Sequence, residues 1–365
     1  MRALRVARLL RRAARRYDAG FLSVSRRALR LYRVDGFRLL EAAPLGLLDP
    51  RLPEATLDRF TSRKALRSIQ ARLNADGLAP LTEDKAVFYL FCRRLGLPIP
   101  ALYALFYRGA AGWGDDGAVL TDRNAWRGLL ERLPDEFVVK PARASLGLGV
   151  TLFHREGATF VDHLGREASA DELLDRLERD PEHDAFVIQE RLRNHPDLVR
   201  LSGSDTLQTA RIHTFVAPGG DCRVLDASLK LAAGQAVVDN IQDGKTGNLV
   251  ASISLGDGRL GQVVRESLES LACVSLVAHP VTGRSFDGVC VPGWTEACAL
   301  ARKAALEFVP LQSLGWDIAP TPRGPVIVEA NMWWGPAPPN QVGTMPGILE
   351  ALTRDDGAPG PASRR

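Results

Sequence analysis

The sequence predicts an α+β chain built of more than one lobe. Helical and strand patterns interleave along its length, and short apolar runs from 205 to 265 alternate with Gly, Asp and Asn turns, as in an antiparallel sheet. Residues 314–331 read as a single β-hairpin. At 365 residues there is chain enough for two or three compact units and a sizeable core. The composition, 45% hydrophobic and 25% charged, is that of an ordinary globular protein, and no run of 18 apolar residues marks a membrane span.

The first element is basic. Residues 1–40 hold twelve arginines against Asp18 and Asp35, a balance of +10, which leaves −6 for residues 41–365. The pattern predicts one or two helices broken near 18–20, with Leu9, Leu10, Ala13, Leu29 and Leu31 as partial apolar stripes. Such a segment either packs on the body with its arginines in water or lies on anionic lipid or an acidic partner. The acidic body argues against general nucleic-acid binding. Arginines interrupt any secretory signal core, and five scattered cysteines without a CxxC fit reduced thiols in a cytoplasmic protein.

The remaining elements follow in order. Residues 44–60 are turn-rich, and 82–100 read as a helix with Thr82 as a plausible cap and Gly96 with Pro98 as its stop. Residues 136–153 are strand, glycine turn, strand; 170–180 a short helix; 185–192 a strand; 293–309 a helix. The tail is small, polar and Pro/Gly-rich, as in disordered termini. The expected units are a basic helical segment 1–43, a helical region 44–135, a small α+β lobe 136–192, a second lobe 193–345 and a disordered tail 346–365.

Two stretches carry chemistry. In "KPARASLGLGV" Gly147 and Gly149 occupy a turn after the strand that bears Lys140. Glycines let successive N–H groups approach a phosphate, although the turn read alone is equally a plain hairpin and matches neither a P-loop nor a dinucleotide fingerprint. In "LGWDIAPTPRGPVIVEAN" antiparallel pairing brings Asp317 close to Glu329, and Asn331 shares the face of Glu329 roughly 7 Å along the chain. Two carboxylates and an amide oxygen are hard ligands suited to Mg²⁺; without a cation the like charges repel. The alternative is a solvent-facing acidic pair. Only six lysines (Lys64, Lys85, Lys140, Lys230, Lys245 and Lys303) stand among 41 arginines, which draws notice to each of them, with codon bias as the alternative.

Lysine strand, glycine turn, "VIQERL", "TARIHTF" and the late Asp…Glu-x-Asn hairpin occur in the order of the ATP-grasp superfamily. "LQTARIHTFV", "LKLAAGQAVVDN", "HPVTGRSFDG", "VPGWTEACALA" and the hairpin together resemble sugar-transfer-associated ATP-grasp proteins, related to α-L-glutamate ligases, over about residues 45–340. The resemblance implies an ATP-grasp fold, two α+β lobes clasping ATP, with an N-terminal helical extension. It implies Lys85 and Lys140 on the nucleotide phosphates, the 145–150 turn with Ser145, Gly147 and Gly149 over them, and a hinge of Gln189, Glu190 and Leu192 at the adenine. Arg211 and Lys230 would stabilise the transferring phosphoryl group, and Asp317, Glu329 and Asn331 would hold one or two Mg²⁺, with Mn²⁺ as a substitute. The implied activity is an ATP-dependent carboxylate–amine or carboxylate–thiol ligase, in the setting of cell-surface polysaccharide (exopolysaccharide) or peptide precursors. A kinase or a non-catalytic nucleotide-binding protein of the same fold at the membrane surface is the alternative. Partners would be ATP, a small carboxylate and an amine acceptor, with homodimerisation and peripheral contact at the inner membrane face left open. Trp333 and Trp334 either stack on the acceptor or anchor a loop. Gln208, Lys230 and "IQDGKTGN" depart from the family pattern where phosphate meets acceptor.

Overall fold

The computed structural model describes residues 2–144, 147–234, 236–341 and 344–354. The first sheet has eight strands: β1 (Leu102–Tyr107), β2 (Gly112–Gly114), β3 (Val119–Leu120), β4 (Glu136–Pro141), β5 (Thr151–Glu156), β6 (Thr159–Asp162), β7 (Glu167–Ala168) and β8 (Ala185–Glu190). Their spatial order is β3-β2-β1-β8-β4-β5-β6-β7, with every neighbouring pair antiparallel. Helices Arg123–Arg132 and Ala170–Glu178 cover one face, their Leu129, Leu130, Leu173 and Leu174 packing with Phe137, Phe153 and Phe160. Both helices start on side-chain caps: Asp122 accepts from the Ala125 amide at 2.9 Å, and Ser169 forms a capping box with Glu172.

The second sheet holds β9 (Ala210–Val216), β10 (Cys222–Leu231), β11 (Leu249–Ile253), β12 (Leu260–Ser267), β13 (Ala272–Leu276), β14 (Ser313–Thr321) and β15 (Gly324–Asn331). It is also antiparallel throughout, in the order β13-β12-β11-β10-β9-β14-β15. Helix Trp294–Glu307 packs Ala297, Ala301, Ala304 and Ala305 against it; these small residues let the helix approach the sheet closely. Helix Lys85–Arg94 lies between the two sheets. Its Phe88 and Tyr89 share one core with Val187 of β8 and with Ile212, Trp316 and Ile327 of the second sheet. The two sheets are thereby joined through a single apolar cluster.

The N-terminal part is helical and folded onto this body. Helices Arg2–Arg16 and Phe21–Arg33 meet across Asp18 (φ 45°) and bury Ala13, Val24 and Leu31 with Leu47, Leu48 and Leu271. Arg12 donates to the Leu268 carbonyl at 3.1 Å, and the Cys273 amide to that of Pro44 at 2.8 Å. Among the described residues no helix is long and apolar enough to cross a membrane. Helix Arg63–Leu73 packs Leu66 and Leu73 with Met345, Ile348 and Leu352.

Three expectations need correction. The small lobe begins upstream of 136, because β1 pairs with β8 and so brings residues 102–120 into its sheet. The tail expected to be disordered from 346 instead contains helix Met345–Arg354, whose Met345, Ile348 and Leu352 bury one stripe; residues 355–365 lie outside the described residues. Finally, Asp84 and not Thr82 caps helix Lys85–Arg94, accepting from the Ala86 and Val87 amides, while Thr82 sits in the preceding short helix Pro80–Glu83.

Candidate functional site

A cleft of about 820 Å³ lies between the two sheets, bounded at one end by residues of the 36–71 segment. Its floor follows from strand alternation. Ile212, Leu229, Trp316 and Ala330 of four adjacent strands enter the core, so Arg211, His213, Lys230, Asp317, Glu329 and Asn331 line the cleft on the other face. Register fixes the neighbours: Asp317 stands opposite Glu329 on one side and Arg211 on the other, while Gly315 separates Asn331 from His213. The roof comes from the first sheet and the helix between: Lys140 from β4, Gln189 and Glu190 from β8, Lys85 from the first helical position after Asp84.

Charge is arranged in two groups. Arg211 grips Asp317 through both Nε and Nη2, the latter at 2.7 Å, and Lys230 Nζ lies 2.9 Å from the same carboxylate. Burial alone would raise the Asp317 carboxyl, but the charges and hydrogen bonds of Arg211 and Lys230 outweigh it and hold it well below the usual carboxylate range. The carboxyl of Asp239, 4.0 Å from Lys230, is raised by burial against the pull of that lysine and of the Thr209 amide and hydroxyl, which donate to it at 2.9 and 2.6 Å.

The second group is cationic. Lys140 Nζ donates to the Tyr89 hydroxyl at 2.7 Å, which donates in turn to the Val328 carbonyl at 2.7 Å. Burial pushes the Lys140 amine down to about 7, with Lys85 adding repulsion and Glu329 opposing it. Lys85 Nζ donates to the Ala144 carbonyl at 2.6 Å. Three polar groups facing this space have no partner among the described residues: the Glu329 carboxylate takes no hydrogen bond or ion pair, and Asn331 Nδ2 and Gln189 Oε1 are buried without a hydrogen bond. Since the two ends of an amide are interchangeable in assignment, Asn331 can equally present its oxygen.

Of the residues singled out in the sequence, Lys85, Lys140, Gly147, Gln189, Glu190, Leu192, Arg211, Lys230, Asp317, Glu329 and Asn331 line this one cleft. Ser145 lies outside the described residues. Gly149 does not line the cleft; it has φ 74°, and a Cβ there would fall 2.7 Å from the Pro141 ring, so it closes the turn against β4. Gln208 also stands away from the cleft, where its amide binds Ser202 Oγ at 3.0 Å and accepts from the Ala232 amide at 3.2 Å. Glu190 is held by Arg323 at 2.6 Å, tying the β8 end to the turn of the late hairpin. Both tryptophans line the cleft: Trp334 is an anchor, stacked 3.9 Å from His213 with its indole N–H on Ser313, and Trp333 lies under Arg67.

Sequence reasoning missed His213. Its Nδ1 meets buried Asp226, which also accepts from Asn340 at 2.8 Å, and its Nε2 is buried without a partner among the described residues. The two-residue spacing from Arg211 was the available signal; Asp226 gave none, because a register shift between Val224 and Asp226 sets its position. Arg38, Glu41, Arg63, Lys64 and Arg67 of the cleft end were missed as well.

Two antiparallel sheets enclose a cleft lined with lysines on one side and with an Asp…Glu-x-Asn hairpin on the other, and the family comparison shows the class to be ATP-grasp. Within that class the chain belongs to the sugar-transfer associated ATP-grasp family, whose model matches residues 65–354. No curated protein matches it. Among solved structures it is similar to the ADP complex of N5-carboxyaminoimidazole ribonucleotide synthetase (11% identity, 75% of this chain and 52% of that one, TM-score 0.41). It is similar also to the biotin carboxylase domain of Hydrogenobacter thermophilus 2-oxoglutarate carboxylase with Mg-ADP, ADP and bicarbonate (12%, 79% and 48%, 0.42). A third is Bacillus anthracis D-alanine–D-alanine ligase with ATP (14%, 75% and 67%, 0.37). The chain spans about half the length of the first two. All three TM-scores lie below 0.5, so the family match alone carries the assignment.

Proposed function

We propose that the protein is an ATP-dependent ligase that activates a substrate carboxylate as an acyl-phosphate and passes the acyl group to an amine or thiol, releasing ADP and phosphate. The observation that carries this reading is the meeting of Lys85 and Lys140 with Arg211, Lys230, Asp317, Glu329 and Asn331 around one cleft. Lys85 and Lys140 bind the phosphates, with Gly147 letting the turn approach them, and Gln189, Glu190 and Leu192 face the adenine.

A Mg²⁺ ion fits the residues present. Among the described residues no three His, Cys, Asp or Glu side chains are disposed around a metal, which suits an ion held by one or two carboxylates plus phosphate oxygens. Glu329, which has no hydrogen-bond or ion-pair partner among the described residues, and Asn331, whose Nδ2 has none there, would hold it, and Asp317, whose oxygens Arg211 and Lys230 occupy, stands beside them as the third. Bound there, the ion would offset charge on the phosphates.

Arg211 and Lys230 are preorganised by Asp317, so their charge is aimed before phosphoryl transfer and costs little reorganisation during it. The carboxylate oxygen bonds to the γ-phosphorus as the bond to the β-phosphate bridging oxygen breaks, and ADP leaves. The amine nitrogen or thiolate then bonds to the acyl carbon, phosphate departs and the amine gives up a proton. Excluding water until that capture is the task of the lobe carrying Lys140 and Gly147. The setting we propose is the modification of cell-surface polysaccharide or peptide precursors; the family's association with sugar transfer favours the first. The test is a screen of carboxylates paired with amines for simultaneous release of ADP and inorganic phosphate. ADP formed while the γ-phosphate stays on a stable product would establish a kinase instead.

A further inference from the structure

Resting on that reading, we propose that the cleft end beside Trp333 is a binding site for a second oxyanion on the acidic substrate, so that the substrate is a dianion and not a simple monocarboxylate. Arg63, Lys64 and Arg67, from the first turns of the eleven-residue helix Arg63–Leu73, line the cleft there and have no carboxylate partner among the described residues. Each is seated. Arg63 packs over Gly335, where a Cβ would come within 3.4 Å of its Nε; the Lys64 stem rests on Gly36, where a Cβ would come within 3.3 Å; Arg67 lies 4.3 Å from the Trp333 ring centre. Arg38 adds a fourth cation to the wall.

At this end the Glu41 carboxylate accepts from the Arg63 amide at 2.7 Å and the Arg38 amide at 3.4 Å; burial raises it while the charges of Arg63 and Arg38 pull it down, so one negative charge faces four positive ones. The four cations therefore keep a net positive end in a body whose residues 41–365 sum to −6. The triphosphate and the reacting carboxylate are already met by Lys85, Lys140, Arg211 and Lys230. A further set of seated cations beside Trp333, itself two residues past Asn331 along the chain, calls for a further anion in the same cleft. Carboxylate and phosphate share this chemistry, and guanidinium forks bind both.

The test is calorimetric titration of the full chain with succinate and with glycerol 3-phosphate, using butyrate and glycerol as controls. Each titration is run without nucleotide and with Mg²⁺ plus a non-hydrolysable ATP analogue. One dianion is expected to bind about tenfold or more tighter than butyrate, and R63Q/R67Q to lose about tenfold or more of that affinity. K64Q, which leaves the Trp333 contact intact, is expected to lose affinity in the same direction, with analogue binding unchanged in both variants. Preference for succinate or for glycerol 3-phosphate assigns the second group as carboxylate or phosphate. Dianions that bind no better than butyrate, or equally to wild type and both variants, overturn the proposal. Failure of the analogue to bind overturns the ligase reading instead, and the nucleotide-free titration still decides this one.

Discussion

Nucleotide binding should be coupled to a proton through Lys140. Its amine is buried against Tyr89, and burial together with Lys85 brings it down to about 7. In the free protein at pH 8 only about a tenth of the molecules then carry that charge. A triphosphate beside the amine favours the charged form and restores an ordinary lysine pKa, so binding at pH 8 takes up about 0.9 proton. The sign is definite: the bound state holds the proton more tightly, so affinity is full below pH 7 and falls by up to about tenfold per unit above it. Calorimetric titration with the non-hydrolysable ATP analogue and Mg²⁺ at pH 8, in two buffers of different ionisation enthalpy, reads the uptake as the slope of observed against buffer enthalpy. A slope near 0.9, about zero in Lys140→Met, is expected. A wild-type slope near zero, or the same slope in the variant, would refute the placement of Lys140 on the phosphates.

Other outcomes follow from the same geometry. Asp317→Ala leaves Arg211 and Lys230 buried without their shared carboxylate, and urea unfolding should register a loss of about 3–5 kcal/mol. Gly147→Ala places a Cβ at φ 71° and 2.8 Å from the Val238 methyls; it should cost about 1–2 kcal/mol in unfolding experiments and weaken analogue binding as the turn shifts.

The sequence made the late hairpin legible for a physical reason. Its faces alternate residue by residue, so Asp317, Glu329 and Asn331 could be placed on one side without knowledge of any other element. Arg211 and Lys230 were marked by the family resemblance and not by strand alternation. The cationic cleft end was not, because nothing local sets it. Gln70 donates to the Trp334 carbonyl at 2.9 Å, Asn74 to those of Ser313 at 2.8 Å and Met332 at 3.1 Å, and Gln341 to that of Thr61 at 3.1 Å. These long-range bonds carry residues 61–74 to the cleft, and no periodicity reports them. Likewise the upstream start of the small lobe rests on the pairing of β1 with β8, a contact between segments some eighty residues apart that sequence pattern does not encode.

The central claim, that Glu329 meets a cation beside ATP phosphates, is tested most directly by titrating wild type and Glu329→Ala with the ATP analogue, each with Mg²⁺ and with EDTA. Glu329 makes no hydrogen bond or ion pair to a described residue, so the variant should keep its unfolding midpoint. The account predicts Mg²⁺-dependent binding that the variant loses. Affinity unchanged by the substitution, or by removal of Mg²⁺, would contradict it.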